Sequence, residues 1–256
     1  MWSNPHLLNR LSNALFAASA LAVVGAACYG MARSPAFPLR AIEVVGKLEH
    51  VRRPQVVGAL QGQVSGTFFT ADLGFLRERF QSIPWVRRAE IRRHWPDRLQ
   101  VTLDEHVPLA RWGRPEDAQL LNRQGEPFYA ASSGDLPVLS GPEGTERLMA
   151  SRYGQFLATL APLGVVPTEV LLSERFAWQV KLENGVWLQL GREQPRDPVN
   201  ERLARFVEAY PRTIGKLDAR LHGDGMRVDL RYANGFAVRV PGLERTNSGR
   251  AARPRA

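Results

Sequence analysis

A chain of 256 residues that is 44% hydrophobic and 23% charged has the make-up of one large or two small folded domains, which excludes disorder throughout. Its formal charge of +9 raises nucleic acid as a partner, because clustered Lys and Arg release counterions from phosphates, although the location argued next weakens that reading. The one cysteine, Cys28, lies within an apolar run, so the rest of the chain forms neither an internal disulfide nor a Cys-based zinc site.

Residues 14–32 read ALFAASALAVVGAACYGMA without a charge, bounded by Arg10 and Arg33. The run matches the roughly 20 residues that a helix needs to cross hydrocarbon. A buried core helix is seldom small and apolar on every face, and here a Pro-containing linker, Ser34 to Pro38, follows. A cleaved signal peptide is the rival, with small residues at Ala26 and Ala27, but the run is long for such a segment. A lipoprotein-type Cys28 is disfavoured by Gly25, where a branched apolar residue is usual. Flanking charge barely orients the span, with Arg10 on one side and Arg33 and Arg40 on the other. The short tail before the span and the large region after it favour a cytoplasmic tail, residues 1–13, and a periplasmic bulk.

The first folded region, residues 37–108, reads β-α-α-β-β. Leu39 to Val45 alternates, with Ile42 and Val44 on one face, as a strand ending at Gly46. Pro54 to Leu60 is a short helix, and a second begins after Thr70, a candidate N-cap, with Leu73, Leu76 and Phe80 on one face. Val86 to Arg93 and Leu99 to Leu103 alternate about the turn Trp95-Pro96-Asp97-Arg98.

The second region, residues 109–240, is richer in strands. Leu120-Leu121 and Phe128-Tyr129 flank Gly125 as a hairpin. A Gly/Pro-rich stretch, Leu139 to Gly144, leads to a helix carrying Leu148, Met149, Phe156, Leu157 and Leu160, with Gly164 as its C-cap. Asp197 is read as the N-cap of another helix, with Pro198 at its first position and Val199, Leu203, Phe206, Val207 and Tyr210 along one stripe. Two Asn-Gly hairpins set register. A three-residue loop Glu183-Asn184-Gly185 pairs Leu182 with Val186, Val180 with Leu188 and Trp178 with Leu190. A like loop Ala233-Asn234-Gly235 pairs Tyr232 with Phe236, Leu230 with Val238 and Val228 with Val240. Residues 241–256 are polar and basic and read as a disordered tail. The class is α+β: one transmembrane helix, the β-α-α-β-β domain, then a mainly antiparallel β-domain with two or more helices.

No catalytic set emerges. The histidines His6, His50, His94, His106 and His222 show no HExxH spacing, and no metal site is read. Ser132-Ser133 and Ser173 lack a G-x-S-x-G elbow, and Gly223-Asp224-Gly225 lacks the third glycine of a dinucleotide loop. Adjacent carboxylates such as Asp104-Glu105 point to opposite faces of a strand. The reading is therefore a binding protein, not an enzyme, with no cofactor, no small-molecule substrate and no nucleic acid. Arg87, Arg88, Arg92, Arg93 and Arg98 form either a solvated sheet face that blocks edge pairing or a surface for anionic lipid or an acidic partner. Trp85 and Trp178 are expected in the core.

A series of blocks in order carries a resemblance. They are Phe68-Phe69, residues 84–88 (PWVRR), residues 93–99 (RHWPDRL), Glu105 to Pro108 with Ala110-Arg111-Trp112, residues 172–175 (LSER) with Ala177-Trp178, residues 190–192 (LGR), residues 201–203 (ERL) and residues 228–232 (VDLRY). Over nearly its whole length the chain resembles the bacterial cell-division family FtsQ, called DivIB in some lineages. Val240 stands where some relatives carry an aromatic residue. The resemblance implies a POTRA domain for residues 37–108, the family's β-domain for residues 109–240, and an inner-membrane scaffold of the divisome at the septum. Such a scaffold links early and late division proteins, with FtsB, FtsL, other divisome membrane proteins and membrane lipid as partners. The alternative is a membrane-anchored periplasmic module binding an anionic ligand or peptidoglycan.

The partner site is expected on the last hairpin, where a terminal strand at a sheet edge can accept an added strand. Leu230, Tyr232, Phe236 and Val238 are placed on one face and Arg231 and Arg239 on the other, with Asn234 and Gly235 at the turn. The resemblance points to the Arg231-Tyr232 pair for FtsB, with Arg175 and Trp178 on a neighbouring strand. The opposing reading has Tyr232 and Phe236 merely closing the core. A recruitment surface is expected on the first domain at Val51, Pro54, Val57 and Leu60.

Overall fold

The computed structural model describes residues 5–34, 36–61, 66–113, 119–216, 225–232 and 235–240, so Asn234, the loop residue Ala233 and the basic tail lie outside the described residues. The chain divides into two compact units, Met1–His106 and Val107–Ala256.

The first unit opens with helix α1, Pro5–Arg33, whose stretch Leu8–Arg33 is long and apolar enough to cross a membrane and has no buried residue in its most apolar part. The helix begins well before Ala14, through Asn9 and Arg10. Then come strand β1 (Ala41–Val45), helices α2 (Arg53–Leu60) and α3 (Leu73–Gln81), and strands β2 (Val86–His94) and β3 (Arg98–Glu105). The sheet order is β1-β3-β2, with β1 parallel and β2 antiparallel to β3. Leu76, Phe80, Trp85, Ala89, Ile91, Leu99, Val101 and Leu103 form the core between helices and sheet.

The N-cap of α3 is Asp72, not Thr70: the Asp72 carboxylate accepts the Phe75 N–H at 3.0 Å. Thr70 is engaged one turn back, where its hydroxyl accepts the Thr67 N–H at 2.9 Å. Glu105, at the end of β3, accepts the backbone N–H groups of Glu49 (3.1 Å), His50 (3.1 Å) and Val51 (2.7 Å) and pairs with His50 Nδ1 at 3.2 Å. Burial acts to raise this carboxyl, but the donors outweigh it and hold it below the usual range. His50 stacks on Trp85, with ring centroids 3.8 Å apart.

The second unit holds strands β4 (Pro108–Trp112), β5 (Gln119–Asn122), β6 (Pro127–Phe128), β7 (Val138–Ser140), β8 (Pro167–Leu172), β9 (Ala177–Leu182), β10 (Trp187–Arg192), β11 (Arg227–Asp229) and β12 (Ala237–Arg239), with helices α4 (Glu146–Leu160) and α5 (Val199–Ala209). Among the described residues these strands make one sheet in the order β12-β11-β10-β9-β8-β7-β4-β5-β6. It is mixed: β7 pairs in parallel with both β4 and β8, β11 is parallel to β10, and the other pairs are antiparallel. β7 overlaps the start of the stretch read from composition as a Gly/Pro-rich connection. Met149, Phe156 and Leu160 of α4 and Val199, Leu203 and Phe206 of α5 pack on the buried residues of β8, β9 and β10. Leu148, by contrast, is exposed.

Two expectations for α5 and its neighbour are corrected. The N-cap of α5 is Pro198, because the Asp197 carboxylate is taken by Arg202 and Arg205, while Glu193 accepts the Val199 N–H at 3.0 Å. The β9–β10 loop has Leu182 N bonded to Val186 O at 2.9 Å and Val180 opposite Leu188, as expected, but Trp178 faces Gly191 instead of Leu190. A bulge between Gln189 and Gly191 inserts the extra residue.

Candidate functional site

β12 ends the sheet order, so the last hairpin supplies one of its edges. Its register differs from the expected one by two residues: Val228 faces Val238, not Val240, and Asp229 faces Ala237. Local chemistry stops the strand early. Asp229 accepts three hydrogen bonds from Arg231, from its backbone N–H (3.1 Å), Nε (2.8 Å) and Nη2 (2.6 Å), a local set of bonds just where β11 ends. An offset of two preserves the alternation of faces, so Val228 and Leu230 stay inward.

The shared face expected for Leu230, Tyr232, Phe236 and Val238 is divided. Leu230 is buried and Phe236 packs against the core, whereas Tyr232 and Val238 are 57% and 37% exposed. The core-closing reading therefore holds for Phe236 and not for Tyr232. Gly235 is exposed.

Arg231 lies in a cleft of about 380 Å³ with Arg175, Ala177, Gly191, Arg192 and Arg202. Distant segments thus bring Arg175 and Arg231 to one basic recess. The Arg231 hydrogen bonds hold the Asp229 carboxyl below the usual carboxylate range, against the desolvation of partial burial. Arg231 is thus oriented by its own hairpin, and its exposed side chain still presents a cation. Arg175 sits in the β8–β9 turn, followed by Phe176 in the left-handed region (φ 58°) with its ring exposed. Trp178 is 3% exposed and meets Phe156 edge-on, with centroids 5.6 Å apart. It supports the sheet from within and presents no contact surface, a correction to its expected role beside Arg175.

Arg202 was missed as a site residue. It is 1% exposed, donates to the Leu190 carbonyl and to the Arg192 carbonyl (2.9 Å), and is paired through Nε with Asp197 Oδ2 (2.7 Å) and through Nη2 with the Asp197 carbonyl (2.6 Å). It thereby satisfies two carbonyls beside the bulge of β10, in the same cleft as Arg231. The sequence signal was a cation three residues after Val199 inside an apolar stripe.

A second cleft, of about 450 Å³, runs between α5 and the hairpin, with Leu230, Phe236 and Ala209 as its apolar part and Arg205 and Arg212 among its lining. In the first unit, Val57 and Leu60 line a groove of about 440 Å³ with Ile42, Val44, Leu48 and Val56. Val51 forms part of its buried wall, and Pro54 is exposed outside it. The arginine cluster of β2 and β3 is largely committed: Arg88 and Arg92 face Glu90 at 3.0 and 3.6 Å, Arg98 bonds Glu43 at 2.6 Å, and Arg93 reaches backbone carbonyls of residues 68–71. Among the described residues no cluster of His, Cys, Asp and Glu has metal-site geometry.

Residues 37–106 match the POTRA domain of the FtsQ type, and residues 110–231 match the C-terminal domain of cell division protein FtsQ/DivIB. The chain is 42% identical over 246 residues to the cell division protein FtsQ of Burkholderia pseudomallei, covering 95% of this chain and 96% of that one. It is 38% identical to FtsQ of Nitrosospira multiformis (93% and 99% covered) and 36% identical to that of Bordetella pertussis (95% and 94%). The matched domains follow the two compact units and the relatives span the same length, so the chain belongs to the FtsQ/DivIB family of bacterial cell-division proteins.

Proposed function

We propose that the chain is a single-pass scaffold of the division machinery, its N-terminus cytoplasmic and its bulk periplasmic, that captures FtsB and FtsL on the last hairpin. The observation that carries this reading is the terminal strand β12 beside an exposed Tyr232 and the Arg231–Arg175 recess. A terminal strand turns one side of its backbone away from the sheet and can take an added strand. Arg231 and Arg175 suit a partner carboxylate, and Tyr232 supplies rigid amphipathic area of the kind that anchors interfaces. The exposed Gly235 belongs to this surface. Co-purification of FtsB and FtsL with the full chain tests it: Arg231→Glu with Tyr232→Ala abolishes capture while the thermal unfolding midpoint stays within a few degrees. Undiminished capture by the folded double variant would overturn it.

The apolar groove of Val57, Leu60, Ile42 and Val44, walled by Val51 and bordered by Pro54, supports a recruitment role for the POTRA domain toward other divisome membrane proteins. Replacing that domain by an unrelated spacer of similar size abolishes septal localisation on this reading; a chimera that still localises excludes it. Topology is tested by a compartment-sensitive reporter at Ala256, and retention of the span by an intact N-terminus on the membrane-bound protein.

A further inference from the structure

The segment ahead of α3 is tied at both ends. Thr67 Oγ1 donates at 2.6 Å to the carbonyl of Ala32, the last residue of the charge-free run. Thr67 also bridges Pro38, and Phe68 N donates to the Phe37 carbonyl at 3.0 Å. From the domain side, Arg93 on β2 donates to the carbonyls of Phe68 (2.8 Å), Phe69 (3.2 Å) and Ala71 (2.9 Å). A well-held backbone is thus placed at the end of α1.

Three phenyl rings stand on it. Phe68 is buried in the domain core, Phe69 is 46% exposed, and Phe37 is partly exposed. Phe69 meets Phe37 and Phe68 edge-on, at centroid distances of 5.3 and 5.2 Å. From Thr67 to Phe69 the chain advances at most about 7 Å. The layer between hydrocarbon and water is of the same depth, about 5–7 Å on each side of a core of about 30 Å. With Ala32 at the hydrocarbon boundary, Phe69 falls within that layer. Arg33, stacked over the Tyr29 ring at 4.4 Å and next in sequence to Ala32, adds a cation at the level of lipid phosphates, and the exposed Arg40, which faces Asp97 at 3.8 Å, adds another on the same linker.

We propose that Gly66–Ala71 is a bilayer-contact element, with Phe69 and Phe37 inserted in the interfacial layer, which holds the POTRA domain at a fixed attitude on the membrane. The proposal rests on the reading that α1 spans the bilayer. Lipid is the occupant, not a second protein, because the exposed ring is continuous with the span through Thr67 and Ala32 and is flanked by cations.

The test uses the full chain in nanodiscs of phosphatidylethanolamine and phosphatidylglycerol, on a Cys28→Ala background, with one nitroxide label at Ala20→Cys, Phe69→Cys or Gln81→Cys. Gln81 lies at the far end of α3. Collision with oxygen, which concentrates in lipid, is compared with collision with a water-soluble nickel chelate. The labels at 20 and 69 favour oxygen, the latter at shallower depth, and the label at 81 favours nickel; Phe37→Cys reproduces the pattern of 69 should Phe69→Cys fold poorly. A label at 69 as water-exposed as that at 81, with 20 in lipid, overturns the proposal and leaves the span intact. Shielding of 69 from both reagents overturns it in favour of a protein contact. A water-exposed label at 20 defeats the span and the proposal together.

Discussion

A Cβ added to Gly191 would lie 2.9 Å from Cγ and 3.1 Å from Cδ of Arg231. Gly191 also has φ +74°, a conformation that costs an L-residue about 1–2 kcal/mol. Gly191→Ala is expected to lower stability by about that amount and, by displacing Arg231, to weaken the proposed capture of FtsB. Denaturant titration alongside quantitative co-purification checks both effects.

Removal of Arg202 should be far more damaging. Arg202→Met leaves the Leu190 and Arg192 carbonyls and the Asp197 carboxylate without their shared donor. Asp197 keeps Arg205, so the loss falls on the buried carbonyl acceptors, at about 1–3 kcal/mol for each left unsatisfied. Tryptophan fluorescence of the detergent-solubilised chain in urea, which senses the buried Trp178, should show a markedly lower midpoint.

Glu105 gives the POTRA domain a defined acid response. Its folded carboxyl titrates below its unfolded value, so the stability it contributes is fully present above about pH 4.3 and is lost as pH falls through the lowered folded value. Glu105→Gln is expected to cost about 1–3 kcal/mol at pH 7, since the backbone donors of residues 49–51 lose a charged acceptor. The gap between wild type and variant narrows below about pH 4. Parallel unfolding curves at pH 7 and pH 3 measure it, and a constant gap would contradict the assignment.

Arg93→Ala releases the carbonyls of Phe68, Phe69 and Ala71 together. A loss of roughly 1–2 kcal/mol is expected for these partly buried acceptors. Faster amide exchange should be confined to Gly66–Ala71 and the start of α3. Arg92→Ala, at an exposed ion pair with Glu90, should leave exchange there unchanged.

What was readable from the residues alone had local causes. The charge-free run specified a span-length helix, period-two alternation specified β2, β3, β9 and β10, and the Glu183-Asn184-Gly185 loop set Val180 opposite Leu188, because turn geometry and one-sided burial act over a few residues. The ordered blocks identified the family and drew attention to Arg231, Tyr232 and Arg175. Tertiary structure decided what depends on distant partners. β7 is three residues long and is a strand only because β4 and β8 flank it, and Arg202, from a later helix, satisfies carbonyls beside the bulge that sets Trp178 opposite Gly191; nearer partners decided two other points, where Asp229 binds Arg231 at the end of β11 and two arginines of α5 claim the Asp197 carboxylate. In each case one particular side chain or strand competes with the generic local preference and wins, and composition and periodicity carry no record of that competition.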